Sequence, residues 1–386
     1  MPETRVQKTL IEKIETLRKS RLIVYVTGDR TPFGARIAED VVRPFYDHLL
    51  ALEKNSPASA KRLDLFLYSR GGDVSVPWRI VSMIRELYPE FNVLIPYKAH
   101  SAATMIALGA DSILMGRKAE LSPIDPTLAR EGAGEGSVPP SEISVEDVSA
   151  YLAFIRERAK ITDQMALAQL LGKLADNITP LVLGNINRQH PHIRLVARKL
   201  LASHQRAIAK NKMKDIVDTL VEKMYSHGHA IGRKEAKGIG LPVRNTSSEL
   251  EQLLWELFEL YEEELKLRDN LDPELLLQKE DEEKILTDLP VAIIESVQKL
   301  HKYETRVSFR RKRNVPGNLQ VNVNLTFGLP PGLDPAQIPA NIRELLAQLQ
   351  QQIGAQIPAL VREEMVRQSP AVGFEGRSSG GRWVER

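Results

Sequence analysis

Four short apolar runs set the rhythm of the first part of the chain: Arg21–Gly28 (RLIVYVTG), Leu63–Ser69 (LDLFLYS), Asn92–Tyr97 (NVLIPY) and Ser112–Gly116 (SILMG). Short, aliphatic and partly β-branched runs read as strands buried on both faces. Between them, apolar positions recur every three or four residues and predict helices over 34–52, 76–87 and 102–109. An earlier helix over 3–19 gathers Val6, Leu10, Ile14 and Leu17 on one face. This alternation predicts an α/β fold with a parallel sheet covered on both sides.

The pattern then changes. Arg130–Ser144 (REGAGEGSVPPSEIS) reads as a surface loop, and 144–226 as almost wholly helical. Glu235–Val243 reads as a helix ended by Gly238 or Gly240, then a short strand. Asn245–Leu267 forms an acidic amphipathic helix with Leu250, Leu254, Leu257, Phe258 and Tyr261 as its stripe. It reads most simply as a packing or subunit-contact element, and with Trp255 its aromatic content also suggests a partner surface. A helix is predicted over 280–303, a hairpin over Thr305–Phe327 around Pro316-Gly317, a Gln-rich amphipathic helix over 340–366 and a disordered tail. The expected organisation is an N-terminal helix (1–20), a main domain (21–244), a helical extension (245–304), a hairpin plus helix (305–366) and the tail (367–386).

Composition narrows the chemistry. The net charge of +3 over 386 residues does not mark a nucleic-acid binder, and the absence of cysteine excludes disulfides and thiolate chemistry. No secretory signal or membrane-spanning run is evident, so a cytoplasmic protein is expected. No metal or cofactor is called for. The run Arg310–Arg313 could contact nucleic acid or an anionic membrane, but on an exposed hairpin such a run more often protects an edge strand.

Candidate chemistry gathers at three loops on the carboxyl ends of successive strands, where parallel sheets place their sites. "SRGGDV" offers Gly71 and Gly72, whose backbone N–H groups can face a developing oxyanion. "AHSAATMIALGAD" puts Ser101 at a strand-to-helix turn, either as a helix cap or as an exposed hydroxyl beside the Ala102 N–H. His100 is a poor base for Ser101, because adjacent residues on an extended chain point apart. "LSPIDPTL" fixes Asp125 in a rigid loop, either as a turn-capping carboxylate or as part of a site.

With these loops in this order, the chain resembles the Clp/crotonase superfamily and, within it, the serine dehydrogenase proteinase family. The matching pieces are LYSRGGDV, AHSAATMIALGADSILMG, ELSPIDPTL and EAKGIGLPV, spanning about Leu22 to Val243. The resemblance implies a ββα superhelical core and an ATP-independent serine peptidase acting on peptide or protein substrates, commonly as a homo-oligomer. It implies Ser101 as nucleophile and Gly72 and Ala102 as oxyanion-hole donors. Relatives usually carry Pro where this chain has Arg70, and often Gly at Ala103.

The base stays open. His229 and His227, before the EA…GL element, rank first because histidine titrates closest to neutrality. Lys160 follows, by analogy with relatives that use lysine. Asp125 is a weak base toward a serine hydroxyl and better suited to orienting one. Two rivals remain: a catalytically silent scaffold and an acyl-CoA enzyme. On this reading, bulk at Gly72 is expected to abolish turnover at little cost in stability.

Overall fold

The computed structural model describes residues 5–55, 61–124, 127–129, 142–144, 148, 151–178, 180–223, 228–277, 283–314 and 339–386. They divide into two compact units, one of Met1–Leu271, Leu286–Arg306 and Ser378–Arg386, the other of Asp272–Ile285 and Val307–Arg377.

The class is α/β. The elements of the first part run α1 (Val6–Arg18), β1 (Arg21–Thr27), α2 (Val42–Lys54), β2 (Arg62–Tyr68), α3 (Val76–Leu87), β3 (Glu90–Ile95), β4 (Lys98–Ala99), α4 (Ala102–Leu108), β5 (Ser112–Met115) and β6 (Glu120–Leu121). One sheet orders its strands as Val243–Asn245, β5, β3, β2, β1, Glu283–Glu295, Leu300–Arg313 and Ala371–Glu385. The first five are parallel, and the strand Glu283–Glu295 is antiparallel to β1. A small second sheet joins β4, β6 and Ile231–Gly232.

Period-two alternation sorts the strand residues into two cores. Ile23, Leu65, Val93 and Ile113 face a layer built on α2, α3 and α4. Val24, Phe66, Leu94 and Leu114 face α1 and the helix Ser248–Glu264. Both faces are therefore covered, and the strands read as unbroken apolar runs.

Four sequence expectations are corrected. Residues 283–303, the described part of the expected helix over 280–303, are not a helix. Leu286, Leu289, Ile293 and Leu300 have near-helical spacing, but Pro290 and the β-branched Val291, Ile293 and Ile294 suit a strand. The chain turns at Ser296–Lys299, where Ser296 N–H donates to Lys299 O at 2.9 Å.

The tail is ordered as the strand Ala371–Glu385. Trp383 packs against Tyr303 with ring centroids 5.3 Å apart. The Arg386 guanidinium grips both Glu304 oxygens at 2.6 and 2.7 Å.

Arg310–Arg313 guards no edge, because its strand lies between Glu283–Glu295 and Ala371–Glu385. Within the second unit, Arg313 donates to Ser369 O at 2.7 Å and the Arg311 guanidinium lies 5.6 Å from the Phe374 ring.

Finally, Phe258 and Tyr261 are not a partner surface. Both are buried in this chain's own core, with Phe258 against Tyr68 at 4.8 Å and Tyr261 donating to Glu295 at 2.8 Å. The expected turn at Pro316-Gly317 lies outside the described residues. Among the described residues, no helix is long and apolar enough to cross a membrane.

Candidate active site

The parallel register brings two loops together. Ser69, ending β2, bridges Ala99 of β4, with Ser69 N–H donating to Lys98 O at 3.0 Å and His100 N–H to Ser69 O at 2.9 Å. The Gly-Gly turn therefore runs beside the segment that leads into Ser101. Contact is close enough that a β-carbon on Gly71 would lie 2.8 Å from His100 O and 3.2 Å from Ala102 N. Gly71 has φ 107°, a conformation that side-chain-bearing residues rarely adopt.

Ser101 sits between β4 and α4 with φ 51° and ψ −113°. This is the geometry of the first central position of a type II′ turn, normally a glycine place. A serine held there marks a strained elbow. The residue is only 7% exposed, and its Oγ has no hydrogen-bond partner among the described residues. It does not cap α4 with its side chain, which removes the helix-cap reading.

Several groups hold the elbow. Ser101 N–H donates to Ser122 Oγ at 2.8 Å, and Ser122 Oγ donates to Pro123 O at 2.8 Å. Thr104 Oγ1 lies 2.8 Å from Ala99 O and accepts Ser122 N–H at 3.2 Å. Ser69 Oγ accepts from Thr27 Oγ1 at 2.7 Å and from Gly71 N–H at 3.0 Å. These buried hydroxyls were not singled out from sequence. Their signal was only polar residues at the ends of apolar strands.

Gly71 N–H is thus already committed, whereas the N–H groups of Gly72 and Ala102 make no hydrogen bond among the described residues. Gly72 is tightly enclosed: a β-carbon there would meet Ile37 O at 2.1 Å. The expectation that bulk at Gly72 spares stability is therefore wrong, because backbone, not a yielding side chain, fills that space.

The flanking charges are paired. Asp29 takes Arg70 at 3.3 Å, Lys98 at 3.5 Å and the Tyr68 hydroxyl at 3.0 Å. His100 Nε2 meets Glu120 at 3.1 Å, and burial holds its imidazole below the usual histidine range despite that carboxylate. His100 is turned to Glu120, not to Ser101.

Of the candidate bases, His229 is half-exposed, and its Nε2 lies 2.8 Å from Glu235 Oε1. Lys160 is exposed, with φ 53°. Neither is hydrogen-bonded to Ser101. Asp125 and His227 lie outside the described residues.

Comparison with known proteins bears on this arrangement. The sequence model of the ClpP-like SDH-type serine proteinase family matches residues 3–138, the span that holds Gly71, Gly72, Ser101 and Ala102. Over that span the chain is similar to that family. His227, His229 and Lys160 fall beyond the matched span.

Two uncharacterized proteins of Methanocaldococcus jannaschii are each 23% identical, over 266 and 265 residues. They cover 68% of this chain, and 81% and 79% of their own length. Among solved structures, an alanine mutant of the 1510-N membrane-bound stomatin-specific protease, in complex with a substrate peptide, is similar with a TM-score of 0.35 at 16% identity. The match covers 56% of this chain and 74% of that one. ClpP1 from Listeria monocytogenes is similar with a TM-score of 0.32 at 14% identity, over 61% of this chain and 98% of its own.

Proposed function

We propose that this chain, similar over residues 3–138 to the ClpP-like SDH-type serine proteinases, is a serine peptidase that hydrolyses peptide bonds without ATP, by acyl transfer through Ser101. The observation that carries this reading is the strained Ser101 elbow, with an unbonded, nearly buried hydroxyl beside two uncommitted backbone N–H groups. A residue held at positive φ without a structural hydrogen bond for its side chain is explained by chemistry better than by packing.

In the proposed reaction, Ser101 Oγ attacks the peptide carbonyl carbon while a base takes its proton. The N–H groups of Gly72 and Ala102 stabilise the tetrahedral oxyanion. The base returns the proton to the leaving amine, and water then releases the acyl group by the same path.

For the base we favour His229. Ala99, Leu121 and Ile231 share a register across the small sheet, and Ser101 and His229 each follow two residues beyond it at the same end, which supports this choice. The separation is two strand spacings, about 10 Å, which an imidazole swing or a bridging water must close. Glu235 supplies a group that orients the ring. His227 and Asp125 stay as its proposed neighbours in that role, and nothing favours Lys160.

The test is hydrolysis of a fluorogenic casein or a mixed peptide library by the full chain, with and without ATP. Cleavage independent of ATP and lost in Ser101→Ala supports the proposal. Absence of cleavage by folded wild type, or cleavage that survives Ser101→Ala, overturns it.

A further inference from the structure

The helix Ala340–Gln368 has 29 residues, about 43 Å of length, and none of its described residues is buried. Gly354 and Pro358, near its middle, are poor helix formers. An isolated helix gains most of its stability from packing an apolar face, so this one needs a partner.

Between Leu345 and Val361 its apolar residues form a stripe with the same order from either end. Ile353 is the centre. Leu349 and Ile357 lie four residues to either side, Leu346 and Leu360 seven, and Leu345 and Val361 eight. Steps of three and four keep them on one face, and that face is open, with Leu345 56% and Leu360 62% exposed.

A stripe of this symmetry fits itself turned end for end. We propose that Ala340–Gln368 pairs antiparallel with the same helix of a second copy of this chain, with the two-fold axis at Ile353. Between Leu345 and Val361 each residue of the stripe then stands level with another of the stripe, as an isologous contact requires.

Charge agrees with that register. Arg343 precedes Ile353 by ten residues and Glu364 follows it by eleven. At about 100° per residue, both lie on the same side of the line through Ile353, about 80° and about 20° from it. Arg343 of one copy therefore stands within roughly one residue's rise, about 1.5 Å, of the level of Glu364 of the other. A parallel pair would instead level Arg343 with Arg343.

Residues 340–368 carry three Arg, three Glu and no Lys, so the helix does not repel its copy. A membrane-surface helix would show a basic polar face instead.

The chain has no cysteine, which makes single-cysteine cross-linking unambiguous. None of these positions is buried, so substitution there does not disturb a core. In the full chain under mild oxidation, Ile353→Cys should form a disulfide dimer at least tenfold faster than Leu275→Cys, an 85% exposed control. Leu346→Cys alone should not, because its two copies stand about 21 Å apart, beyond disulfide reach. A mixture of Leu346→Cys and Leu360→Cys chains should cross-link to the heterodimer. Cross-linking of Leu346→Cys with itself as fast as Ile353→Cys would overturn the antiparallel register. Ile353→Cys cross-linking no faster than the control would overturn the pairing altogether, whatever else the helix binds.

Discussion

A β-carbon placed on Gly71 would stand 2.6 Å from the β-carbon of Ser101. The turn that follows β2 and the residue that opens α4 are therefore fitted to each other at contact distance. Gly71 serves this fit, since its own N–H is bonded to Ser69 Oγ.

Gly71→Ala should push the two segments apart. With φ at 107°, the substitution should cost about 2 kcal/mol or more. Reaction of Ser101 with a fluorophosphonate probe should slow on the order of 100-fold, as a displacement near 1 Å at a reacting centre does. Thermal melts and labelling rates on the same sample check both parts.

Ser101→Gly and Ser101→Ala should separate strain from chemistry. Both remove the hydroxyl and should abolish labelling. Only glycine accepts φ 51° with ψ −113° freely, so Ser101→Gly should be more stable than Ser101→Ala by about 1–2 kcal/mol. Equal urea midpoints would show that the elbow is unstrained.

Ser122→Ala removes the acceptor of the Ser101 N–H. An unsatisfied buried donor costs about 1–3 kcal/mol, and the elbow should loosen. The labelling rate should fall although Ser122 lacks any reacting atom, and Ser122→Thr should restore part of it.

Stability should fall on acidification through a histidine remote from Ser101. His48 is fully buried between Ser296, 2.8 Å from its Nδ1, and His301, 3.0 Å from its Nε2. Burial first, then the neighbouring His301 and Lys299, push its pKa down to about 3 from the usual 6.5. Between these values the unfolded chain takes up a proton that the native state refuses. Stability therefore drops as pH falls through that window, by up to about 1.4 kcal/mol per pH unit. Urea unfolding at stepped pH should show a slope shallower by about one proton in His48→Asn. His301, also depressed by burial, keeps some slope in place.

The sheet and the site loops were legible because their signals are local. Val24, Leu65, Val93 and Ile113 sit in runs that no other element explains, and Gly71-Gly72 and Ser101 follow directly on strand ends. The hairpin over 283–313 was misread because its apolar spacing mimics a helix until Pro290 and the β-branched run are weighed together. The strand Ala371–Glu385 was invisible for a different reason. Its middle, residues 376–382, is all Gly, Ser and Arg, and its order comes from a partner strand some seventy residues earlier, as in the Thr305–Ser378 hydroxyl contact at 2.9 Å.

The supports of the elbow were hidden in the same way. Nothing in the local sequence says that Ser122 bonds Ser101, or that His229 stands beside Glu235 at the end of a strand next to β6. Those relationships depend on register between distant segments.

The most direct measurement is a fluorophosphonate adduct located by peptide mass spectrometry on the folded full chain. The predicted result is one adduct, on Ser101, absent from Ser101→Ala and slowed in Gly71→Ala. No adduct on a well-folded sample, or an adduct on another serine that persists in Ser101→Ala, would contradict Ser101 as the nucleophile.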